Sequence, residues 1–134
     1  MKIYISFLLF MLLFVSTAFK YSSELKDQVV GKWKWVTIIN SSTNEEAGLE
    51  LVTMGLASDV NVEFKEDNTY VESKRRKAGA EYSTLVGEWK IENDAILSTK
   101  QKDKWISMKI LKLSNDSLLL EMNKDMNLLM VKEK

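Results

Sequence analysis

The second half of this chain is a succession of short segments in which apolar and polar residues alternate, with a turn signal about every 8–12 residues. Alternation with a period of two is typical of strands that present one face to a core and the other to water. The segments around Val62, Tyr70 and Met108 show it clearly. No proline interrupts any segment, which favours fully paired strands. The pattern predicts an all-β domain of antiparallel strands.

Eight strands are predicted, counting a first strand that opens with Gly31–Trp35. There the glycine allows a sharp turn into the strand, and both indoles point to one face. The Gly-x-Trp pattern recurs at Gly87–Lys90, so a second strand is predicted to carry an inward indole. An antiparallel set of this size forms a sandwich or a closed barrel, and closure removes the exposed edges. Eight strands give a barrel that side chains can fill or that holds one small ligand.

Two segments depart from the strand pattern. Residues 23–30 are predicted to form one helical turn. Within Glu45–Ser58, apolar residues at Leu49, Val52 and Leu56 recur at roughly helical spacing behind acidic residues that suit a helix N-terminus. We therefore predict a short amphipathic helix between strands 1 and 2, covering one open end or one flank of the barrel.

The amino terminus has the features of an export signal. A lysine precedes an apolar run at residues 3–15, and the small residues Ser16 and Ala18 suit a cleavage site. We predict cleavage after Ala18, which makes 1–18 the signal peptide and 19–134 the barrel domain. The protein would then be periplasmic or secreted. The alternative is that the apolar run is kept as a membrane anchor, although it is short for a span.

The chain has 134 residues, no His and no Cys, and 19 basic residues against 19 acidic ones. This length suits one domain. Without His or Cys the sequence has no Ser-His or Cys-His nucleophile pair, no usual zinc or copper ligand set and no disulfide. The balanced charge gives no net attraction to nucleic acid or to an anionic membrane. We expect a monomer that is not an enzyme and needs no cofactor or metal.

Four stretches, in this order, resemble the lipocalin-like domains of small exported bacterial proteins. They are Val30–Lys34, the F-turn-T-Y hairpin of Val62–Tyr70, the G-x-W strand of Gly87–Ile91, and Ile110–Leu118. The resemblance covers roughly Val29–Lys132. It implies an eight-stranded up-and-down antiparallel β-barrel of the lipocalin-like (calycin) type, whose interior can hold a small apolar molecule. It implies no shared enzyme activity and no shared ligand.

The sequence departs from the family pattern at one position. In typical lipocalins an arginine late in the chain stacks on the tryptophan of the first strand, here Trp33. The arginines of this chain are Arg75 and Arg76, in a predicted mid-chain hairpin. Either Lys132 or no residue would take that place.

The predicted binding site is the barrel interior, where inward apolar and aromatic side chains form the lining. The candidate ligand-binding residues are Trp33, Trp35, Phe64, Tyr70, Trp89, Ile106, Met108 and Leu120. The expected ligand is a small hydrophobic molecule, such as a fatty acid or another lipid. The alternative is that these side chains fill the barrel, and that the protein acts through its surface as an interaction or envelope-stress module.

Two further groups of residues have a structural and a functional interpretation. The basic run Lys74–Lys77 is predicted to be a solvated hairpin tip, with docking to an acidic partner or lipid headgroup as the alternative. Met122, Met126 and Met130 recur every four residues, and we favour core packing over Cu(I) binding because a turn separates two strands there.

Acidic residues alternate along several strands. Glu63, Glu72 and Glu121 are predicted to lie on the solvated outer face of the barrel.

Overall fold

In the part of the chain that the structure describes, nine antiparallel strands follow one short helix. The computed structural model describes residues 23–48, 57–93 and 95–134. The helix, α1, covers residues 23–29, within the segment predicted to be helical. The strands are β1 (Gly31–Asn40), β2 (Glu46–Ala47), β3 (Asp59–Phe64), β4 (Thr69–Arg75), β5 (Ser83–Glu92), β6 (Ile96–Gln101), β7 (Lys104–Leu113), β8 (Ser117–Asn123) and β9 (Met126–Lys132). In the described ranges no helix is long and apolar enough to cross a membrane.

The strands close into a barrel because β1 pairs with both β3 and β9. The pairing otherwise follows chain order from β3 to β9, and every pair is antiparallel. Eight strands therefore form the wall, while the two-residue β2 lies beside the end of β1. This confirms the predicted eight-stranded up-and-down β-barrel.

The predicted helix at Glu45–Ser58 needs a correction at its start. Glu46–Ala47 form β2, in which Ala47 pairs with Ile38 of β1. The pairing supplies backbone hydrogen bonds between β1 and β2. These two residues therefore form a strand, although the spacing of apolar residues had predicted a helix. Residues 49–56, where most of the predicted helix falls, lie outside the described part of the chain.

A bulge in β1 lets both halves of that strand contribute to the core. The pairing of β1 with β9 shifts register between Trp35 and Thr37. The residue between them, Val36, is 46% exposed, whereas Ile38 is buried. An extra residue in one strand reverses the alternation of side chains beyond it. Trp35 and Ile38 can therefore both face inward, although three positions separate them.

The barrel has two unlike ends. At one end, here called the helix end, α1 packs beside the start of β1 and the second half of β5. Leu25 and Val29 of α1 are buried, and the ammonium of Lys26 lies 5.9 Å from the centre of the Trp89 ring. The opposite end, here called the far end, is where β1, β4, β6 and β8 finish. The helix that covers an end of the barrel in the described residues is thus α1.

Candidate functional site

Five of the eight predicted interior residues are tightly packed. Trp33, Phe64, Tyr70, Trp89 and Leu120 are each at most 4% exposed. The Phe64 ring lies 5.2 Å from the Trp89 ring in an edge-on arrangement and 5.5 Å from the Tyr70 ring. These contacts between aromatic rings fill the helix half of the barrel.

Both predicted inward indoles also find hydrogen-bond acceptors, as buried tryptophans usually do. The Trp33 Nε1 donates to the Val29 carbonyl at 2.7 Å, and the Trp89 Nε1 donates to the Lys65 carbonyl at 2.9 Å. Of the alternatives left open for the stacking position, Lys132 is the one observed: its Nζ lies 5.1 Å from the Trp33 ring centre. These contacts fix the floor of the barrel.

The other three predicted residues are more accessible. Trp35 and Met108 are partly buried and pack against the core, while Ile106 is 43% exposed. The register still places Ile106 on the inner face, because it pairs with the buried Thr99, which also pairs with Trp89. Leu85, Met122 and Met126, nearer the far end, are likewise partly buried. The far half of the inner wall thus contains accessible apolar side chains beside buried ones such as Ile38, Val60 and Leu128.

The predicted outward position of Glu72 is wrong. Glu72 is only 8% exposed, and its backbone pairs with Val62 on one side and Leu85 on the other. Val62 is buried and Leu85 packs against the core, so this face of β4 points inward. The reason is the strand period itself: Tyr70 faces the core, and a residue two positions later faces the same way.

Glu72 belongs to a buried polar group in the barrel interior. Its Oε2 accepts hydrogen bonds from the Tyr70 hydroxyl at 2.6 Å and from the Gln101 amide at 3.2 Å. Its Oε1 lies 3.7 Å from the Nζ of Lys74, a side chain that is half exposed. Burial, followed by the charge of Glu72 and the hydrogen bond to it, raises the pKa of Tyr70. Tyr70 therefore stays protonated and remains a donor to the carboxylate.

The sequence analysis did not predict Glu72 and Gln101 as interior residues. Their charge and polarity were given more weight than the face of the strand on which they lie. Each stands two residues after an inward side chain, Tyr70 and Thr99 respectively, and this spacing was the available signal. What the sequence does not show is that β4 and β6 bring the two side chains within hydrogen-bond distance.

In the basic run Lys74–Lys77, the first two residues contact acidic side chains and the last two are exposed. Arg75 forms an ion pair with Asp59 at 3.0 Å, and Lys74 faces Glu72 as described. Arg76 and Lys77 are exposed in the connection that follows β4. A recess of about 480 Å³ lies at this rim, lined by Lys74, Arg75, Arg76, Ala80, Glu81 and Ser83.

The three spaced methionines do not form a thioether cluster. Met126 and Met130 stand four residues apart on β9, which at about 3.3 Å per residue separates them by about 13 Å along the strand. Met130 is buried, and Met122 and Met126 pack against the core. Across the described residues, no three His, Cys, Asp or Glu side chains are grouped in a way that could hold a metal ion.

Comparison with known proteins agrees with this architecture. A family model described as a lipocalin-like domain matches residues 29–120. The chain belongs to this lipocalin-like family. Its fold is similar to that of a lipocalin-like protein from Bacteroides uniformis, with a TM-score of 0.59 and 16% identity over 79% of this chain and 99% of that one. No curated protein matches the sequence.

A second solved structure gives the same result for this lipocalin-like chain. It is an uncharacterized protein from Bacteroides eggerthii, similar with a TM-score of 0.58 and 11% identity over 78% of this chain and 99% of that one. At such identities the likeness concerns the fold. The function has to be argued from the interior of this barrel.

Proposed function

We propose that this protein is an exported binding protein, without enzyme activity, that holds one small hydrophobic molecule in the far half of its barrel. The observation that carries the proposal is the accessibility of inward apolar side chains in the far half. The helix half is filled by aromatic rings, whereas Leu85, Met122 and Met126, nearer the far end, are only partly buried. Partly covered apolar side chains in a concave wall are what a hydrophobic ligand would cover.

Membership of the lipocalin-like family supports this role in kind, because its closed barrels enclose an interior that can hold a small ligand. The rigid floor made by Trp33 and Trp89 supports it as well. A preformed wall loses little conformational freedom when a ligand enters, so more of the hydrophobic contact contributes to affinity.

The direct test is to purify the mature protein from its own host and to compare its native and denatured masses. Binding predicts additional native mass that disappears on denaturation, and the released molecule can then be identified. A native mass equal to that of the bare chain would count against the proposal.

The second candidate is a surface interaction module, and the recess at the Lys74–Lys77 rim is the observation that favours it. Replacing Arg76 and Lys77 by Ser removes two exposed charges while leaving the Arg75–Asp59 ion pair in place. Loss of a stoichiometric protein partner on this change, with a bare native mass, would favour the second candidate.

A further inference from the structure

Glu72 is a carboxylate inside a chamber whose wall is mainly aromatic and aliphatic. An ionised group in such a place is costly unless it is paired and hydrogen-bonded. We propose that Glu72 anchors the head group of the ligand, and that the ligand is an apolar molecule carrying a basic amine. This inference rests on the proposed function and specifies its ligand class.

The two carboxylate oxygens of Glu72 differ in the contacts that they make. Oε2 accepts both fixed hydrogen bonds, from Tyr70 at 2.6 Å and from Gln101 at 3.2 Å. These two donors, one on β4 and one on β6, orient the carboxylate from the wall of the barrel. For Oε1, the contact within the described residues is the ion pair with Lys74 at 3.7 Å. That distance is longer than a hydrogen bond.

Lys74 is a weak partner for a buried carboxylate. Its side chain is 51% exposed, so its ammonium remains largely hydrated at the rim of the barrel. An ammonium delivered from inside the chamber could approach Oε1 to about 2.8 Å and form a charge-assisted hydrogen bond. The apolar part of the same molecule would cover Leu85, which pairs with Glu72 and packs against the core.

The same geometry disfavours a carboxylate head group near Glu72. Two carboxylates in a poorly solvated space repel each other, and one must take up a proton. Tyr70 and Gln101 already direct their donor groups at Glu72, so they do not offer compensation to a second anion. A neutral alcohol can donate a hydrogen bond to Oε1, but it gains no attraction between opposite charges.

The amine, alcohol and carboxylate head groups are compared with three ligands that share the same alkyl chain: octylamine, octanol and octanoate. Affinity is measured by displacement of a neutral fluorophore from the purified full-length mature protein. We expect the amine to bind about tenfold or more tightly than the alcohol, since hydrogen bonds to charged groups are the stronger ones. We expect octanoate to bind more weakly than the alcohol.

Two variants assign the preference to the carboxylate. Glu72→Gln should bring the affinity for the amine to that for the alcohol, while leaving the alcohol unchanged within about twofold. The matched control is Glu88→Gln, which removes an equal charge from an exposed glutamate 3.8 Å from Lys100, on the outside of the barrel. This control should keep the preference for the amine.

A third variant keeps the test decisive if Glu72→Gln folds poorly. Lys74→Met removes the competing ammonium and should tighten octylamine binding severalfold without helping octanol.

Equal affinities for amine and alcohol in the unmodified protein would overturn this inference and leave the proposed function standing. Failure of the fluorophore and of all three ligands to bind would instead overturn both. Equal loss of amine preference in Glu72→Gln and Glu88→Gln would assign it to net charge and overturn the role of Glu72.

Discussion

Trp33 is the residue at which the helix, the first strand and the last strand meet. Its Nε1 donates to the Val29 carbonyl of α1, and the ammonium of Lys132 in β9 lies over its ring. The same ammonium donates to the Gln28 carbonyl at 3.1 Å. One lysine thus combines a cation–π contact with a hydrogen bond to the end of α1, where the helix dipole favours positive charge.

Replacing Lys132 by Met tests this arrangement, because the change keeps most of the apolar stem and removes the ammonium. We expect a loss of about 0.5–1.5 kcal/mol in the free energy of unfolding, measured by urea denaturation followed by tryptophan fluorescence. Lys112→Met, at an exposed lysine of β7, is the control. An equal effect of both changes would mean that the contact with Trp33 adds no stability.

Gly87 is a second residue whose identity the fold requires. A Cβ at this position would stand 2.0 Å from the Lys100 carbonyl oxygen and 3.9 Å from the Tyr70 ring. The first contact is with backbone, which cannot move aside as a flexible side chain can. The glycine therefore permits β5 and β6 to approach closely beside the interior polar group.

Gly87→Ala is expected to destabilise the protein by about 3 kcal/mol or more, since the added methyl group must displace a strand. Gly48→Ala is a suitable control, because none of the described residues places an atom within 4 Å of the Cβ position there. Thermal unfolding of the two variants should separate them clearly. Similar melting temperatures would show that β5 and β6 can adjust without cost.

Among the elements, β3, β4 and the connection after β4 are held together by Asp59. This carboxylate pairs with Arg75 at 3.0 Å and accepts a hydrogen bond from the Tyr82 hydroxyl at 2.7 Å. The Arg75 guanidinium also lies 5.0 Å from the Tyr82 ring centre. The three side chains fasten the β4–β5 connection to the barrel wall at the far end.

The Asp59 contacts make part of the stability dependent on pH. The Tyr82 hydrogen bond, with the charges of Lys34 and Arg75, lowers the pKa of Asp59 below its ordinary value of 3.8, against the opposing effect of burial. A lowered folded-state pKa contributes stability that is complete above 3.8 and is lost as the pH falls through the folded-state value.

Asp59→Asn should therefore cost about 1–3 kcal/mol at neutral pH and progressively less as the pH falls below about 4. The measurement is the free energy of unfolding of both proteins across this range. Asp27→Asn, at an exposed carboxylate of α1, serves as the reference. A difference between Asp59→Asn and the unmodified protein that stays constant with pH would contradict this account.

For the whole molecule, the two ends of the barrel differ in how their interior is packed. The helix end is closed by α1 and filled by aromatic rings, so it provides most of the continuous core. The far half contains partly buried apolar residues, and the Tyr70–Glu72–Gln101 group lies at its border with the aromatic half, since Glu72 is the middle residue of β4. Among the described residues, the aromatic core is thus concentrated at the helix end, while accessible apolar side chains lie nearer the far end.

Filling the far half should abolish binding without unfolding the protein. We expect Leu85→Trp to lower the affinity for a neutral fluorophore such as diphenylhexatriene about tenfold or more, because the larger ring would occupy the ligand volume. Val86→Trp adds the same ring at the neighbouring position, which is 66% exposed on the outside. If both variants bind the fluorophore equally well, the ligand lies outside the far half of the barrel.

The alternation of residues was enough to predict the antiparallel strands and much of their inner face, and the resemblance to the lipocalin-like family implied the closed barrel. The turns, the two Gly-x-Trp strands and the inward parity of Phe64, Tyr70 and Leu120 are local properties, since successive side chains on a strand point to opposite faces. The same rule would have placed Glu72 inside. The outward prediction failed because a charged residue was assumed to be solvated, without its partners in view.

The sequence by itself therefore determined where most strands lie and the apolar character of their inner face, while the up-and-down closure was implied by the family resemblance. Only the tertiary structure decided which end is covered, which interior side chains stay accessible, and that Lys132 reaches Trp33. These features depend on pairings between distant segments, such as Trp33 with Lys132 across the closing seam. A period of two fixes the face on which a side chain lies, but its neighbours across the barrel are fixed by register and closure.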